Sequence, residues 1–226
     1  MEIAGSRTLV LGGSGVLGGL VAAELVERGG RVALAGRDAG RLAAAAERAG
    51  GAPALRLDLT SPAAAAQVVE WAVAELGGID GVVNASGVVA FGPLAEMDPS
   101  TVTELITTDL TAPLLVMAEA IPQMDGGFFV NLSGVVAEQP FPGMAAYVAA
   151  KAGLSAATRA LAKELRRERI LAIDARPPHT ETGLADRAIA GTAPRFPEGL
   201  APETVARRVV AAIEADEREI PAADFA

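Results

Sequence analysis

Gly12-Gly13-Ser14-Gly15-Val16-Leu17-Gly18-Gly19 follows the apolar run Thr8-Leu9-Val10-Leu11 and opens into Leu20-Val21-Ala22-Ala23-Glu24-Leu25-Val26. A strand, a glycine-rich turn and a helix in that order make a pyrophosphate cradle. Glycines let the backbone approach the phosphates, and the helix start offers unpaired amides to them. Two registers fit: Gly13, Gly15 and Gly18 as G-x-G-x-x-G, or Gly12, Gly15 and Gly18 as G-x-x-G-x-x-G. Plain chain reversal is the competing reading. The flanking strand and helix favour binding, because they stand where the mechanism needs them.

Outward from this turn, apolar runs alternate with helical patterns to the end of the chain. Strands are expected at 8–11, 31–35, 54–58, 81–84, 127–132 and 171–175, with a short edge strand at 219–221. Several are apolar throughout, as strands covered on both faces are. Helices are expected from the glycine turn to Arg28, over 40–49, from Ser61-Pro62 to Leu76, from Pro99 towards Ile121 with a kink at Pro113, over 143–167 and over 202–214. Repeated βα units imply an α/β fold with one parallel sheet. The stretch 183–199, with Pro194 and Pro197, is irregular. In this fold it falls beyond a strand's carboxyl end. A substrate-side lid is one reading and a surface loop without a role the other.

Composition bounds the function. The chain has 226 residues, 51% hydrophobic and 21% charged, which suits one domain with a sizeable core. There is no cysteine and a single histidine, so neither a disulfide framework nor a zinc site is expected. A net charge of −9 argues against nucleic acid and anionic membrane partners. The start lacks a signal-peptide pattern, and no apolar run approaches membrane-spanning length. The expectation is a soluble cytoplasmic protein.

The second strand indicates the dinucleotide. NAD binders place a carboxylate at its end for the ribose hydroxyls. Here it ends Ala35-Gly36-Arg37-Asp38. Gly36 leaves room, and Arg37 offers a guanidinium fork suited to a 2′-phosphate. NADP(H) is therefore expected, with NAD through Asp38 the alternative. Asp58, closing the third strand, can accept a bond from an adenine amino group or can serve a turn.

The one tyrosine of the chain, Tyr147, precedes Lys151 by four residues, so both lie on one helix face. A nearby ammonium favours phenolate and lowers a tyrosine's pKa, which suits acid/base work near neutrality.

With Asn84-Ala85-Ser86-Gly87, Val130-Asn131-Leu132-Ser133 and Pro177 to Thr182 in the same order, the chain resembles the short-chain dehydrogenases/reductases over nearly its whole length. The resemblance implies a doubly wound, Rossmann-type sheet of about seven parallel strands flanked by helices in a single NAD(P)-binding domain. It implies hydride transfer between nicotinamide and a carbonyl or alcohol carbon, with Tyr147 as acid/base and Lys151 holding the nicotinamide ribose and tuning the tyrosine. It also implies cofactor contacts from Gly12, Ser14, Gly15, Val16, Leu17 and Gly18, from Arg37, from Asp58 and Leu59, from Asn84, Ala85 and Ser86, from Tyr147 and Lys151, and from Pro177, Thr180 and Thr182. Members commonly pair through two helices, so a homodimer or homotetramer is expected.

Departures accompany the matches. The family's catalytic serine stands thirteen residues before its tyrosine, where this chain has Gly134. Ser133 is adjacent, but strand neighbours face opposite sides. Loss of an oxyanion donor typically costs ~2.7–4 kcal/mol in the transition state. The helix-four asparagine of the proton relay is Asp109, assigned here to the catalytic group. Its charge would partly oppose phenolate formation. Pro178 removes a backbone donor where the family has glycine. His179 is a candidate replacement donor, with a plain loop role the favoured reading. These departures keep a second function open: an NADP(H)-binding sensor or scaffold with little turnover.

Overall fold

Leu9 and Val10 are neighbours on the first strand, point to opposite faces and are both wholly buried. One packs under each layer of helices, and that arrangement repeats across the sheet. The computed structural model describes residues 1–61 and 63–225. Strands β1 (Arg7–Leu11), β2 (Arg31–Gly36), β3 (Ala54–Arg56), β4 (Gly81–Asn84), β5 (Gly127–Leu132), β6 (Ile170–Ala175) and β7 (Glu219–Ile220) form one sheet of 7 strands. Its order is β3-β2-β1-β4-β5-β6-β7, and every adjacent pair is parallel.

The helices are α1 (Val16–Glu27), α2 (Ala39–Arg48), α3 (Ala64–Leu76), α4 (Pro99–Ile106), α5 (Ala112–Ala120), α6 (Ala145–Glu164) and α7 (Pro202–Glu214). Helices α1, α2 and α7 cover Val10, Val83, Val130 and Ile173 on one face. Helices α3, α5 and α6 cover Leu9, Leu11, Val82, Phe129 and Ala172 on the other. Trp71 packs against this second cluster, as a core residue would. The expected doubly wound Rossmann-type architecture is thus present.

Some boundaries differ from expectation. The third strand ends at Arg56, although Leu57 N–H still reaches Gly36 O. Helix α3 begins at Ala64, with Ala63 at its N-cap and no side-chain cap bond. Pro62, expected in its first turn, lies outside the described residues. Just before Pro113, where a kink is expected, the turn Thr107–Thr111 between α4 and α5 widens to a π-helix, and Ala112 N–H returns to Thr107 O. A proline cannot donate to the carbonyl four residues back and crowds it, so the helix before Pro113 loosens. The composite helix Pro99–Gln123 has 25 residues, and an 18-residue stretch of it reaches a mean hydropathy of 1.3, long and apolar enough by length and composition to cross a membrane. This corrects the expectation that no such run exists. Leu105, Val116, Met117 and Ala120 on it are buried in the protein, so it serves as a core helix.

A third, smaller cluster sits beyond the carboxyl ends of the strands. It joins Val88, Val89, Phe91, Val136, Met144 and Tyr147 to Leu184, Ile189 and Phe196. Ile189 N–H bonds to Val89 O and Phe91 N–H to Ala190 O. The 183–199 stretch is therefore tied to the chain after β4 by main-chain bonds and apolar contacts.

Candidate active site

The strand order reverses between β1 and β4, so their carboxyl ends diverge into a crevice. The glycine turn forms one lip of it, and its register is now fixed. A Cβ on Gly12 would lie 2.5 Å from Ala85 O, and one on Gly18 would lie 2.3 Å from Gly12 O. Side chains at either position would part the turn from β4 or from α1. Gly15 is the N-cap of α1 and has no side-chain cap. Gly13 meets the Leu34 side chain instead. The register is Gly12, Gly15, Gly18. The first turn of α1 carries no acidic residue, so its amides face the cleft without a competing carboxylate.

That cleft has a volume of about 240 Å³ and is lined by Gly12, Ser14, Gly15, Val16, Leu17, Arg37, Asp58, Leu59, Ala85, Ser86 and Thr182, all expected at the dinucleotide. Arg41 and Arg187 line it as well. Sequence reading missed both. Arg41 stands in the first turn of α2, just past the Asp38 N-cap. Arg187 sits in an irregular stretch that carries no periodic signal. Asp38 does not line the cleft. Its carboxylate caps α2 by accepting from Arg41 N–H and pairs with the Arg41 side chain at 3.0 Å. Arg37, half-exposed, pairs loosely with Glu104 at 3.7 Å. Asp58 accepts from both the amide and the hydroxyl of Thr60 through Oδ1. These bonds, with Arg37 nearby, hold its carboxyl below the usual range.

Asn84 departs from expectation. Its side chain is buried and turned into the protein, with Oδ1 accepting from Ser86 N–H at 3.2 Å and Ser86 Oγ–H at 2.6 Å. It shapes the lip that Ala85 and Ser86 present rather than lining the cleft itself.

A second, larger cavity of about 760 Å³ continues from the first and shares Leu17, Ala85, Thr182 and Leu184 with it. Tyr147, Lys151, Pro177, Thr180 and His179 line it, together with Phe91, Phe141, Met144 and Phe196. Tyr147 and Lys151 follow each other along α6, and the Lys151 ammonium lies 6.0 Å from the Tyr147 ring centre. Lys151 Nζ–H donates to Leu132 O at 3.0 Å, which anchors it at the end of β5. Thr180 Oγ–H donates to Pro178 O, and Thr182 Oγ accepts from Leu184 N–H, so both hydroxyls stabilise the loop that carries them. His179 packs its ring 4.9 Å from that of Phe196 and faces Glu181.

Asp109 is wholly buried in the π-turn. Its Oδ1 accepts from Val88 N–H at 2.8 Å, while Oδ2 has no partner among the described residues. A Cβ added to Gly87 would stand 3.2 Å from Asp109 Oδ1 and 3.3 Å from Lys151 Nζ, so the two groups flank one small space. Burial pushes the Asp109 carboxyl up to about 6, with Lys151 pulling the other way. The phenol of Tyr147 also moves upward, first from burial and then from the Asp109 charge. The net shift is upward rather than the lowering expected from Lys151, because burial of the phenol is the larger effect.

Gly134 adopts φ +83°, ψ 162°, a conformation almost confined to glycine. Ser133 is no substitute. Its hydroxyl donates to Asp174 Oδ1, and it is completely buried. Asp174 also accepts from Ser155 Oγ–H and from Arg176, which in turn reaches Glu138 and Glu219.

Residues 6–192 match the family profile described as short chain dehydrogenase. The chain belongs to the short-chain dehydrogenase family. Among relatives of this short-chain dehydrogenase, a short chain dehydrogenase of Pseudocercospora fijiensis is 30% identical over 87% of this chain and 67% of its own length. A 2-dehydro-3-deoxy-L-rhamnonate dehydrogenase (NAD(+)) of Sphingomonas sp. is 30% identical over 81% of this chain and 76% of its own. A solved dehydrogenase/reductase from Sinorhizobium meliloti 1021 superposes with a TM-score of 0.86 at 27% identity, covering 100% of this chain and 98% of that one. The short-chain dehydrogenases are oxidoreductases that use NAD(P), and the free amides and close glycine packing of the first turn fit such a ligand.

Proposed function

We propose that this short-chain dehydrogenase is an NADP(H)-dependent oxidoreductase acting on a small-molecule carbonyl or alcohol. One observation carries the reading: Tyr147 and Lys151 open into a cavity that shares four wall residues with the glycine-turn cleft. The NADP preference is supported by Arg37 and Arg41 at the cleft wall and by the commitment of Asp38 to capping α2. A bound nicotinamide supplies or takes the hydride. Tyr147 holds the proton at its hydroxyl and delivers it to the carbonyl oxygen. Lys151, fixed by Leu132 O, stabilises the phenolate that remains. Asp109 stands beside Lys151 as the buried acid of the proton path. A phenol held in its protonated form suits proton donation to a carbonyl oxygen.

The stretch 183–199 acts as the substrate-side lid of a single domain spanning 1–226, since Leu184, Ala185 and Phe196 on it wall the larger cavity. Exposed Leu115 on α5 and the small residues of α6 provide a face for a homodimer or homotetramer, which light scattering measures directly. A cytoplasmic location is retained from the sequence.

Gly134 favours a second reading, an NADP(H)-binding protein with little turnover, because no hydroxyl stands at that position. Following NADPH absorbance against a panel of apolar carbonyls separates the two. Turnover abolished in Tyr147→Phe, with NADPH binding kept, supports the enzyme. Absence of turnover across the panel with NADPH bound supports the sensor.

A further inference from the structure

Arg187 stands where the two cavities meet, and the catalytic scheme above does not use it. Its Nη2–H donates to Thr182 O at 3.2 Å. Thr182 belongs to the walls of both cavities, as does Leu17 in the first turn of α1. Arg187 thus lines the same cleft as the glycine turn, anchored to a residue that walls both cavities. No lysine or arginine occurs in residues 12–19. Arg37 and Arg41 lie at the ribose end, with Gly36 and Asp58. Asp186, next to Arg187, lines the substrate cavity and not the nucleotide cleft.

The charge balance of this cleft points to a ligand. A dinucleotide's diphosphate carries two negative charges, and a helix N-terminus answers with only about half a positive one. A planar guanidinium fork matches phosphate oxygens in geometry as well as charge. The side chain is exposed and makes one main-chain bond, so it is free to turn toward such a group.

We propose that Arg187 is a diphosphate-binding residue carried on the 183–199 segment, meeting the coenzyme's phosphates from across the cleft, opposite the glycine turn. The assignment rests on the dinucleotide reading of the cleft and adds a contact that the glycine turn does not supply. The same segment places Leu184, Ala185 and Phe196 in the substrate cavity. Holding Arg187 on the phosphates therefore fixes one wall of the substrate site, and coenzyme binding prepares that wall.

ADP-ribose, which carries the diphosphate, and adenosine, which carries no phosphate, test this by titration against wild type, Arg187→Gln and Arg187→Lys. Arg187→Gln is expected to bind ADP-ribose roughly ten- to hundredfold more weakly and adenosine within about twofold of wild type. Arg187→Lys, which keeps the charge but not the fork, falls between them. ADP-ribose should also slow amide hydrogen exchange across 183–199 in wild type and not in Arg187→Gln. ADP-ribose affinity unchanged within about twofold, or equal weakening of adenosine, overturns the assignment. Wild-type protein that binds neither probe nor NADPH overturns the dinucleotide reading itself.

Discussion

Ser133 and Gly134 are adjacent in sequence and committed to different tasks. The Ser133 hydroxyl is held by buried Asp174, while Gly134 turns the backbone through a positive φ beneath Pro177 O. A catalytic hydroxyl cannot be recovered by shifting one residue along the strand.

Installing one at position 134 meets a backbone obstacle rather than a steric one. The nearest atom to a new Cβ is Pro177 O at 4.0 Å, but φ +83° disfavours any side chain. Gly134→Ser and Gly134→Ala should each lose about 1–3 kcal/mol of stability in denaturant titration. Their difference in kcat, not the comparison with wild type, then isolates the hydroxyl. Both variants unfolding at the wild-type midpoint would refute the strain.

Asp109 makes stability depend on pH. Its folded carboxyl sits at about 6, above the roughly 3.9 of an unfolded chain. The native state therefore keeps its proton longer, and stability falls as pH rises from about 4 to about 6, then stays low. The loss is roughly 3 kcal/mol in order of magnitude. Asp109→Asn should flatten that segment of the stability curve and remove an inflection near pH 6 from the kcat profile. A variant whose two curves retain the wild-type shape would show that another group titrates.

Arg37 should discriminate between the two coenzymes. Arg37→Ala is expected to weaken NADPH binding by about tenfold or more and NADH binding far less, since only the former brings a 2′-phosphate. Equal effects on both, in fluorescence titration, would return the ribose end to an NAD role.

Asp174 anchors a buried ionic group whose loss should be felt globally. It is fully buried and accepts from Ser133, Ser155 and Arg176, itself largely enclosed. Asp174→Ala leaves Arg176 with Glu138 and Glu219 at the rim and should cost roughly 3–5 kcal/mol in urea unfolding. Pairing it with Arg176→Met in a double-mutant cycle tests how much of the cost comes from the lost Asp174–Arg176 pair. Additive losses would deny the coupling.

The alternation of β1 to β7 with helices was legible because strands buried on both faces are apolar throughout. Val82 and Val83, or Phe128 and Phe129, need no polar side. The Tyr147 and Lys151 pair was legible from a four-residue spacing. What the spacing could not report was enclosure, and enclosure reversed the direction in which the phenol shifts. The glycine register depended on Ala85, a backbone contact distant in sequence, so periodicity left it open. Pro113 marked the place of a helical disturbance without giving its form. Asn84 matched the family pattern, yet its orientation came from Ser86.

The widened turn at Thr107–Thr111 means that this helix holds one residue more than its axial length requires. Excising a single residue there would let the coil close to ordinary α geometry while α4 and α5 keep their registers on the sheet. The carboxylate at 109 would then swing off the Val88 amide. The surplus residue acts as a discrete setting, by which a one-codon deletion can detach the buried acid without dismantling the scaffold around it.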